Sequence, residues 1–387
     1  MLKPSASPLN TLSKTSPERA AARKASLLDR LKDARSALYA SPGFQTFCSG
    51  FWPTRFVARS KAAGVFDLCA GFVYSQILFA CVRLELLPVL KVQSLTLREI
   101  ANHCGLPQDG AARLVKGAAA LGILEARSGG RYGLGSVGAA VLGNPGLQGM
   151  IAHHDHLYSD MTDPAALLEN RSKSTALAQY WIYSPSPSDM DADRAVKETY
   201  SNLMRDTQLA VAAEVLRAYS FARHERLLDV GGGDGTFLRM AAEDAPGLDL
   251  SLFELPAVAE LAQERLEDAG ISADVHAGNM FEEDWPDGAD LITLIRVCLD
   301  HDDDRVATLL SRARKALKPG GVLLIGEPMA DSPKVGDAYF GFYLWAMGSG
   351  RARTSSEIRQ MLDQAGFSET RVLKTGLPDL VRVIRAS

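Results

Sequence analysis

Residues 226–236 read RLLDVGGGDGT, and this stretch decides the architecture of the chain. Arg226–Val230 has the short apolar character of a buried strand. Gly231, Gly233 and Gly235 then supply a tight turn, and a helical pattern opens at Gly235 and runs to Asp244. Strand, glycine turn and helix together begin a βαβ unit. The dinucleotide fingerprint G-x-G-x-x-G requires a third glycine at position 236, which is Thr236. The turn therefore suits a ligand that brings no pyrophosphate to the backbone.

Outward from this turn the same rhythm repeats. Strands are predicted at Asp249–Glu254, Asp274–Ala277, Asp290–Ile295 and Val322–Glu327, with helices at Ala257–Ala269 and Asp304–Leu317. A helix at Ser355–Ala365 precedes two late strands near Glu369–Thr375 and Leu380–Arg385. This alternation predicts an α/β doubly wound, Rossmann-like parallel sheet, with the ligand at the strand tips. Glu254 ends the second strand, 19 residues after Gly235, where an acid can accept from both ribose hydroxyls. The third strand runs into GNMF (Gly278–Phe281), where Asn279 can bond an adenine edge and Met280 can pack on its ring.

Upstream, the pattern is mostly helical. Residues 1–26 are rich in Ser, Pro and Thr without an apolar core, so no secretory signal is expected there. Ser26–Leu38 reads as a helix, and residues 41–55 mix aromatics with turn formers. Val65–Leu90 is apolar on nearly every side and is read as a buried helix, covered by this chain or by a second copy. Its longest apolar stretch, Leu68–Val82, falls short of the roughly 20 residues of a membrane span. Residues 95–142 give helix, helix and hairpin, the order of a winged helix, with Thr96 and Glu99 at capping-box spacing. The second helix offers only Arg113 and Lys116 as cations, which argues against nucleic-acid binding. A basic N-terminal arm (1–40), a helical, winged-helix-containing dimerisation and substrate-lining domain (41–205) and a ligand-binding α/β domain (206–387) are expected.

Composition narrows the class. Of 387 residues, 47% are hydrophobic and 23% charged, as in a globular protein that needs no metal or disulfide staple. The five cysteines show no CxxC spacing, which points to reduced thiols and a cytoplasmic location. His153, His154 and His156 point around a helix rather than to one side, so pocket lining is favoured over metal binding, and Tyr158, Trp181, Tyr183, Tyr200 and Met204 can share that lining. Residues 1–62 hold eleven Lys and Arg against three acids, so an arm of +8 joins a body of −12. Such an arm suits either solvent or an anionic membrane surface.

VGGGDG, FELP, GNMF, KPGG and the late AGF together resemble the class I methyltransferase domain of the caffeate/hydroxyindole O-methyltransferase family. Upstream, FDLCAGFVYSQILFACVRL, AHHDHLYSDMTDPAALL and YWIYSP resemble the bacterial members that methylate hydroxylated carotenoids. The resemblance covers roughly residues 65–387. It implies S-adenosylmethionine as cofactor, held by Gly231, Gly233, Glu254, Asn279, Met280 and Arg296, and a homodimer. It also implies a lipophilic substrate met at the inner or photosynthetic membrane. Two positions depart from the family. Leu299 stands where a catalytic His is usual, and Ala352 stands where an acid is frequent. Glu327 and His301 remain as catalytic candidates. A tertiary alcohol, far less acidic than a phenol of pKa near 10, loses little when that His is gone. Three other readings compete: a methyltransferase of a bacteriochlorophyll precursor or other planar natural product, a winged-helix DNA-binding regulator, and a cofactor-binding protein that transfers nothing.

Overall fold

The computed structural model describes residues 27–169, 175–180, 194–332 and 334–387. They fall into two units, residues up to Ser75 and residues from Gln76 onward. In the first unit, α1 (Leu27–Ala40) and α2 (Pro42–Gly50) precede α3 (Trp52–Arg83), whose last turns belong to the second unit. Glu85 adopts a left-handed backbone (φ 51°), which ends the helical run and starts α4 (Leu86–Val92).

Of the two covers expected for the Val65–Leu90 helix, this chain alone does not supply one for most of α3. Val65, Phe66, Leu68 and Phe72 stay exposed in the single chain, and burial begins only near Cys81 and continues through Leu86, Leu87 and Leu90. Among the described residues α3 alone is long and apolar enough to cross a membrane. A full-length helix of 32 residues was not legible because Gly64, Gly71 and the charged turn Arg59–Lys61 interrupt its apolar run.

The second unit continues with β1 (Leu95–Thr96), α5 (Leu97–Cys104), α6 (Gln108–Ala120), β2 (Leu124–Arg127) and β3 (Arg131–Leu134). The three strands form an antiparallel sheet in the order β1-β3-β2, so the winged-helix arrangement is present. Thr96 and Glu99 make the reciprocal capping box that their spacing predicts. α7 (Ser136–Leu142), α8 (Pro145–Asp160), α9 (Pro164–Glu169), α10 (Ala176–Tyr180) and α11 (Arg194–Ala218) follow. Ser184–Ser188, Trp181 and Tyr183 lie outside the described residues, as do the side chains of Tyr200 and Met204.

The α/β part comprises β4 (Arg226–Val230), α12 (Thr236–Asp244), β5 (Asp249–Glu254), α13 (Pro256–Asp268), β6 (Asp274–Ala277) and β7 (Ala289–Ile295). It ends with α14 (Asp303–Ala316), β8 (Leu317–Glu327), α15 (Gly341–Met347), α16 (Ser355–Gln364), β9 (Thr370–Leu373) and β10 (Arg382–Ala386). The sheet order is β6-β5-β4-β7-β8-β10-β9. β4 to β8 are parallel, whereas β10 runs antiparallel to β8 and β9. The all-parallel expectation is thus corrected at one edge: β9 and β10 are joined by a short loop that only an antiparallel pair can use. The order reverses between β4 and β7, which opens a crevice at their carboxyl ends. Both sheet faces are covered: Leu228, Ile292 and Leu323 pack on one side, and Leu227, Leu291 and Leu324 on the other.

Candidate active site

The glycine turn sits at that crevice. Gly231, Gly233 and Gly235 have φ of 69°, 61° and 79°, a region costly for residues with a Cβ. A Cβ on Gly231 would lie 2.9 Å from Val297 Cγ2, and one on Gly232 would strike Asp229 Oδ2. A Cβ on Gly233 would meet nothing within 4 Å, so this backbone faces open space. Glu254, at the tip of β5 and 2% exposed, accepts from Gly233 N–H through Oε2 at 2.9 Å and from Leu255 N–H through Oε1 at 2.7 Å.

Asp229, at the end of β4, accepts from Thr293 Oγ1 through Oδ1 at 2.6 Å. Its Oδ2 is buried and finds no hydrogen-bond partner among the described residues. Burial, reinforced by the charge of Glu254, pushes its carboxyl up to about 7. Two carboxylates beside a glycine turn repel phosphate and attract a cation. That setting fits S-adenosylmethionine, whose amino group and sulfonium are both positive, and it disfavours a dinucleotide. Asn279 Oδ1 accepts from Phe281 N–H at 3.0 Å, which fixes the side chain in the turn after β6 and leaves its amide N–H groups for a ligand. Met280, almost buried, reaches to 3.8 Å from the Cβ position of Gly231. Gly231, Gly233, Glu254, Asn279 and Met280 thus converge on one crevice.

Arg296 follows β7 with a left-handed backbone (φ 59°) and donates from Nη1 to Thr207 Oγ1 on α11 at 2.7 Å. Sequence reasoning found Arg296 but missed Thr207, since nothing in a long helix marks one threonine. Past Arg296 the chain makes a 3-10 turn, Cys298–Asp300. Glu327 ends β8 beneath this turn, fully buried, and Oε2 accepts from Leu299 N–H at 2.9 Å. Its Oε1 has no partner among the described residues, and burial pushes the carboxyl up to about 7 against the opposing pull of Arg353. Glu327 therefore holds the turn from below. His301 is also buried, with its ring edge-on to Phe281 at a centroid distance of 4.8 Å. Burial, then the charges of Arg305 and Arg353, lower it to about 4, so it is neutral at pH 7.

Asp300 was missed. It is half-buried, its carboxylate accepts no hydrogen bond among the described residues, and burial raises it to about 8, opposed by Arg296 and reinforced by Glu327. In the sequence it stands among Asp302, Asp303 and Asp304, and such a run reads as a solvated turn. Asp300 is more exposed than Glu327 and His301, which are both buried.

Arg353 braces the turn. It is fully buried, donating from Nη1 to Cys298 O (2.8 Å), from Nη2 to His301 O (2.7 Å), and to Asp303 Oδ1. Removing the guanidinium in Arg353→Ala leaves two buried carbonyls unpaired, at about 1–3 kcal/mol each. Urea unfolding is expected to show a loss of about 3 kcal/mol; an unchanged midpoint would contradict this bracing role.

Leu299 and Ala352, the two departures from the family, lie in one apolar cluster with Leu157, Leu167, Tyr343 and Met347. At its edge His154 Nε2 and Tyr339 Oη are 2.6 Å apart, and Tyr343 Oη lies 3.3 Å from His153 Nε2. Burial, then the charge of Tyr158, raises the Tyr339 hydroxyl, while Arg296 lowers it. Tyr158 packs edge-on against Phe79. His153 and His154 of α8 thus pair with tyrosines.

Residues 180–368 match the O-methyltransferase domain family, and residues 66–144 match the O-methyltransferase dimerisation domain, which supports a homodimer. The demethylspheroidene O-methyltransferase of Rhodobacter capsulatus is 40% identical over 333 residues, 85% of this chain and 83% of that protein. That of Cereibacter sphaeroides is 38% identical, covering 86% of this chain and 88% of its own length. Human N-acetylserotonin methyltransferase in complex with S-adenosylmethionine superposes with a TM-score of 0.71 at 22% identity, covering 84% of this chain and 97% of that one. The chain belongs to the S-adenosylmethionine-dependent O-methyltransferase family.

Proposed function

We propose that the protein methylates a hydroxyl of a hydroxylated carotenoid, a demethylspheroidene-type tertiary alcohol, in carotenoid biosynthesis. It works from the cytoplasmic side, meeting this lipophilic acceptor at the inner or photosynthetic membrane. Two relatives near 40% identity carry the name demethylspheroidene O-methyltransferase. The observation that carries the reading is the apolar cluster around Leu299 and Ala352. Where a phenol methyltransferase places polar base machinery, this chain places a wall suited to an oily chain.

S-adenosylmethionine, when bound, supplies an electrophilic methyl group on a sulfonium sulfur. The chain's own residues bind, orient and move a proton. Gly231 and Gly233 would give close backbone approach, and Glu254 would accept from ribose hydroxyls. Asn279 would donate to the adenine edge, and Met280 would cover its face. Asp229 and Glu254 set a negative potential that favours a cationic ligand over an anion. The hydroxyl of a tertiary alcohol is too weakly acidic for any side chain to deprotonate beforehand. Its proton would pass late to the Asp300 carboxylate, as oxygen bonds the methyl carbon and the carbon–sulfur bond breaks to leave neutral S-adenosylhomocysteine. Glu327 and Arg353 are positioning residues, since they fix the turn that carries Asp300. His301, buried against Phe281, shapes that turn's far side.

Replacement of Leu299 tests the reading. Leu299→His brings a base into the apolar wall. It is expected to leave turnover of the carotenoid alcohol unchanged or lower, and to raise turnover of a small phenol. A large gain on the carotenoid alcohol, measured as kcat/KM with labelled cofactor, would mean that the native reaction lacks a base.

A further inference from the structure

Residues 27–61 precede both matched family domains, yet they are helical. On α1, Leu27, Leu31, Ala34 and Leu38 recur at helical spacing and share one face, and the three leucines are exposed. The end of α2 and the start of α3 present Phe47, Phe51, Trp52 and Phe56 to solvent, with Trp52 82% and Phe56 81% exposed. Phe47 and Phe51 stack at 5.2 Å. Leaving such rings in water forgoes about 1.5–3 kcal/mol for each one that burial would recover. Trp52, Arg55, Phe56 and Arg59 fall on one side of α3, so cations and aromatics alternate along a single exposed strip.

The occupant of this strip is set by charge. Residues 27–61 hold six Lys and Arg and two Asp. A second copy would set those cations against their own kind, and the matched dimerisation domain starts only at residue 66. A membrane crossing through this part of α3 would bury Arg55, Arg59 and Lys61, at several kcal/mol each. An anionic bilayer surface satisfies both features: aromatic rings sit at the headgroup–acyl boundary, and long basic side chains reach the phosphates. We infer that residues 27–61 are an interfacial anchor for membranes rich in anionic phospholipid. This deepens the reading of an oily acceptor drawn from a membrane, on which it rests, by naming the surface that docks and the lipid that holds it.

The test is vesicle flotation of the full chain, with phosphatidylcholine alone or mixed with phosphatidylglycerol. Binding is expected only to the mixed vesicles, and high salt should weaken it. The exposed-site variant Arg55→Gln/Arg59→Gln/Lys61→Gln should lose more than about tenfold in vesicle affinity. Phe47→Ser/Phe51→Ser/Trp52→Ser/Phe56→Ser should lose binding while its sedimentation mass stays that of the unmodified protein. Equal binding to both vesicle types, or unchanged affinity in both variants, overturns the inference. So does a halved mass with vesicle affinity intact, which makes the strip an interface between copies, and so does retention through high salt and alkali, which makes α3 a span. Lost vesicle binding with methyl transfer to detergent-solubilised carotenoid alcohol intact removes the anchor alone. Vesicle binding without any such transfer removes the acceptor reading alone.

Discussion

Asp300→Asn is expected to lower kcat on the carotenoid alcohol by about 10²–10⁴-fold, the usual contribution of a positioned general base, with little change in cofactor affinity. The carboxylate sits one residue beyond Leu299, is half-buried, and accepts no hydrogen bond among the described residues. Burial raises it to about 8, so at neutral pH much of it is protonated and unable to take the acceptor's proton. The sign follows directly: kcat should rise with pH up to about 8, as the base form fills, and then level. Asp300→Asn should abolish that rising limb. Glu327→Gln provides the comparison. Glu327 is sealed beneath the turn, so its replacement should loosen the turn and lower stability while a rising limb remains, moved to lower pH because the charge of Glu327 no longer raises Asp300. If Asp300→Asn keeps both its rate and its pH limb, the proton goes elsewhere.

The second large effect concerns the cofactor. Glu254→Ala removes an acceptor that now holds Gly233 N–H and Leu255 N–H and that we propose accepts from the ribose hydroxyls. Hydrogen bonds to a charged group contribute about 1.5–3 kcal/mol, so affinity for S-adenosylhomocysteine should fall by about 10–100-fold in calorimetry. The same replacement withdraws a negative neighbour from Asp229, whose carboxyl then moves down from about 7. A bound cation acts on Asp229 in the same direction, so binding of S-adenosylmethionine at pH 7 should release a proton from the native protein. That release appears as a dependence of binding heat on buffer ionisation enthalpy, and it should shrink in Glu254→Ala. Unchanged affinity in Glu254→Ala would mean that the glycine turn holds the cofactor without the acid at β5.

The α/β half was legible because its signals are local. Each strand from β4 to β8 ends in a turn with its own chemistry, such as the glycines after Val230, Pro256 after Leu255 and the Asn279 turn after Ala277. The predicted bounds of β4, β5 and β6 coincide with the observed ones. The direction of β10 was not legible, because pairing with β8 is set by distant partners and Val381, Val383 and Ile384 read the same either way. The exposure of α3 was hidden for a related reason: an apolar helix states that it needs cover but not what provides it. In the site, the glycines, Glu254 and Asn279 showed themselves through spacing from a strand end. Asp300, Thr207 and the His154–Tyr339 pair act through burial and contacts far apart in sequence, which a one-dimensional pattern does not carry. Leu299 and Ala352 were visible as departures, and only folding brings them into one cluster.

Incubating the purified protein with S-adenosylmethionine labelled in its methyl group, and following label into a purified acyclic carotenoid with a tertiary hydroxyl, tests the central claim most directly. The expected result is label in an ether-linked methyl on the carotenoid, with a catechol-type phenol labelled far more slowly under the same conditions. Label in the phenol and none in the carotenoid would contradict it.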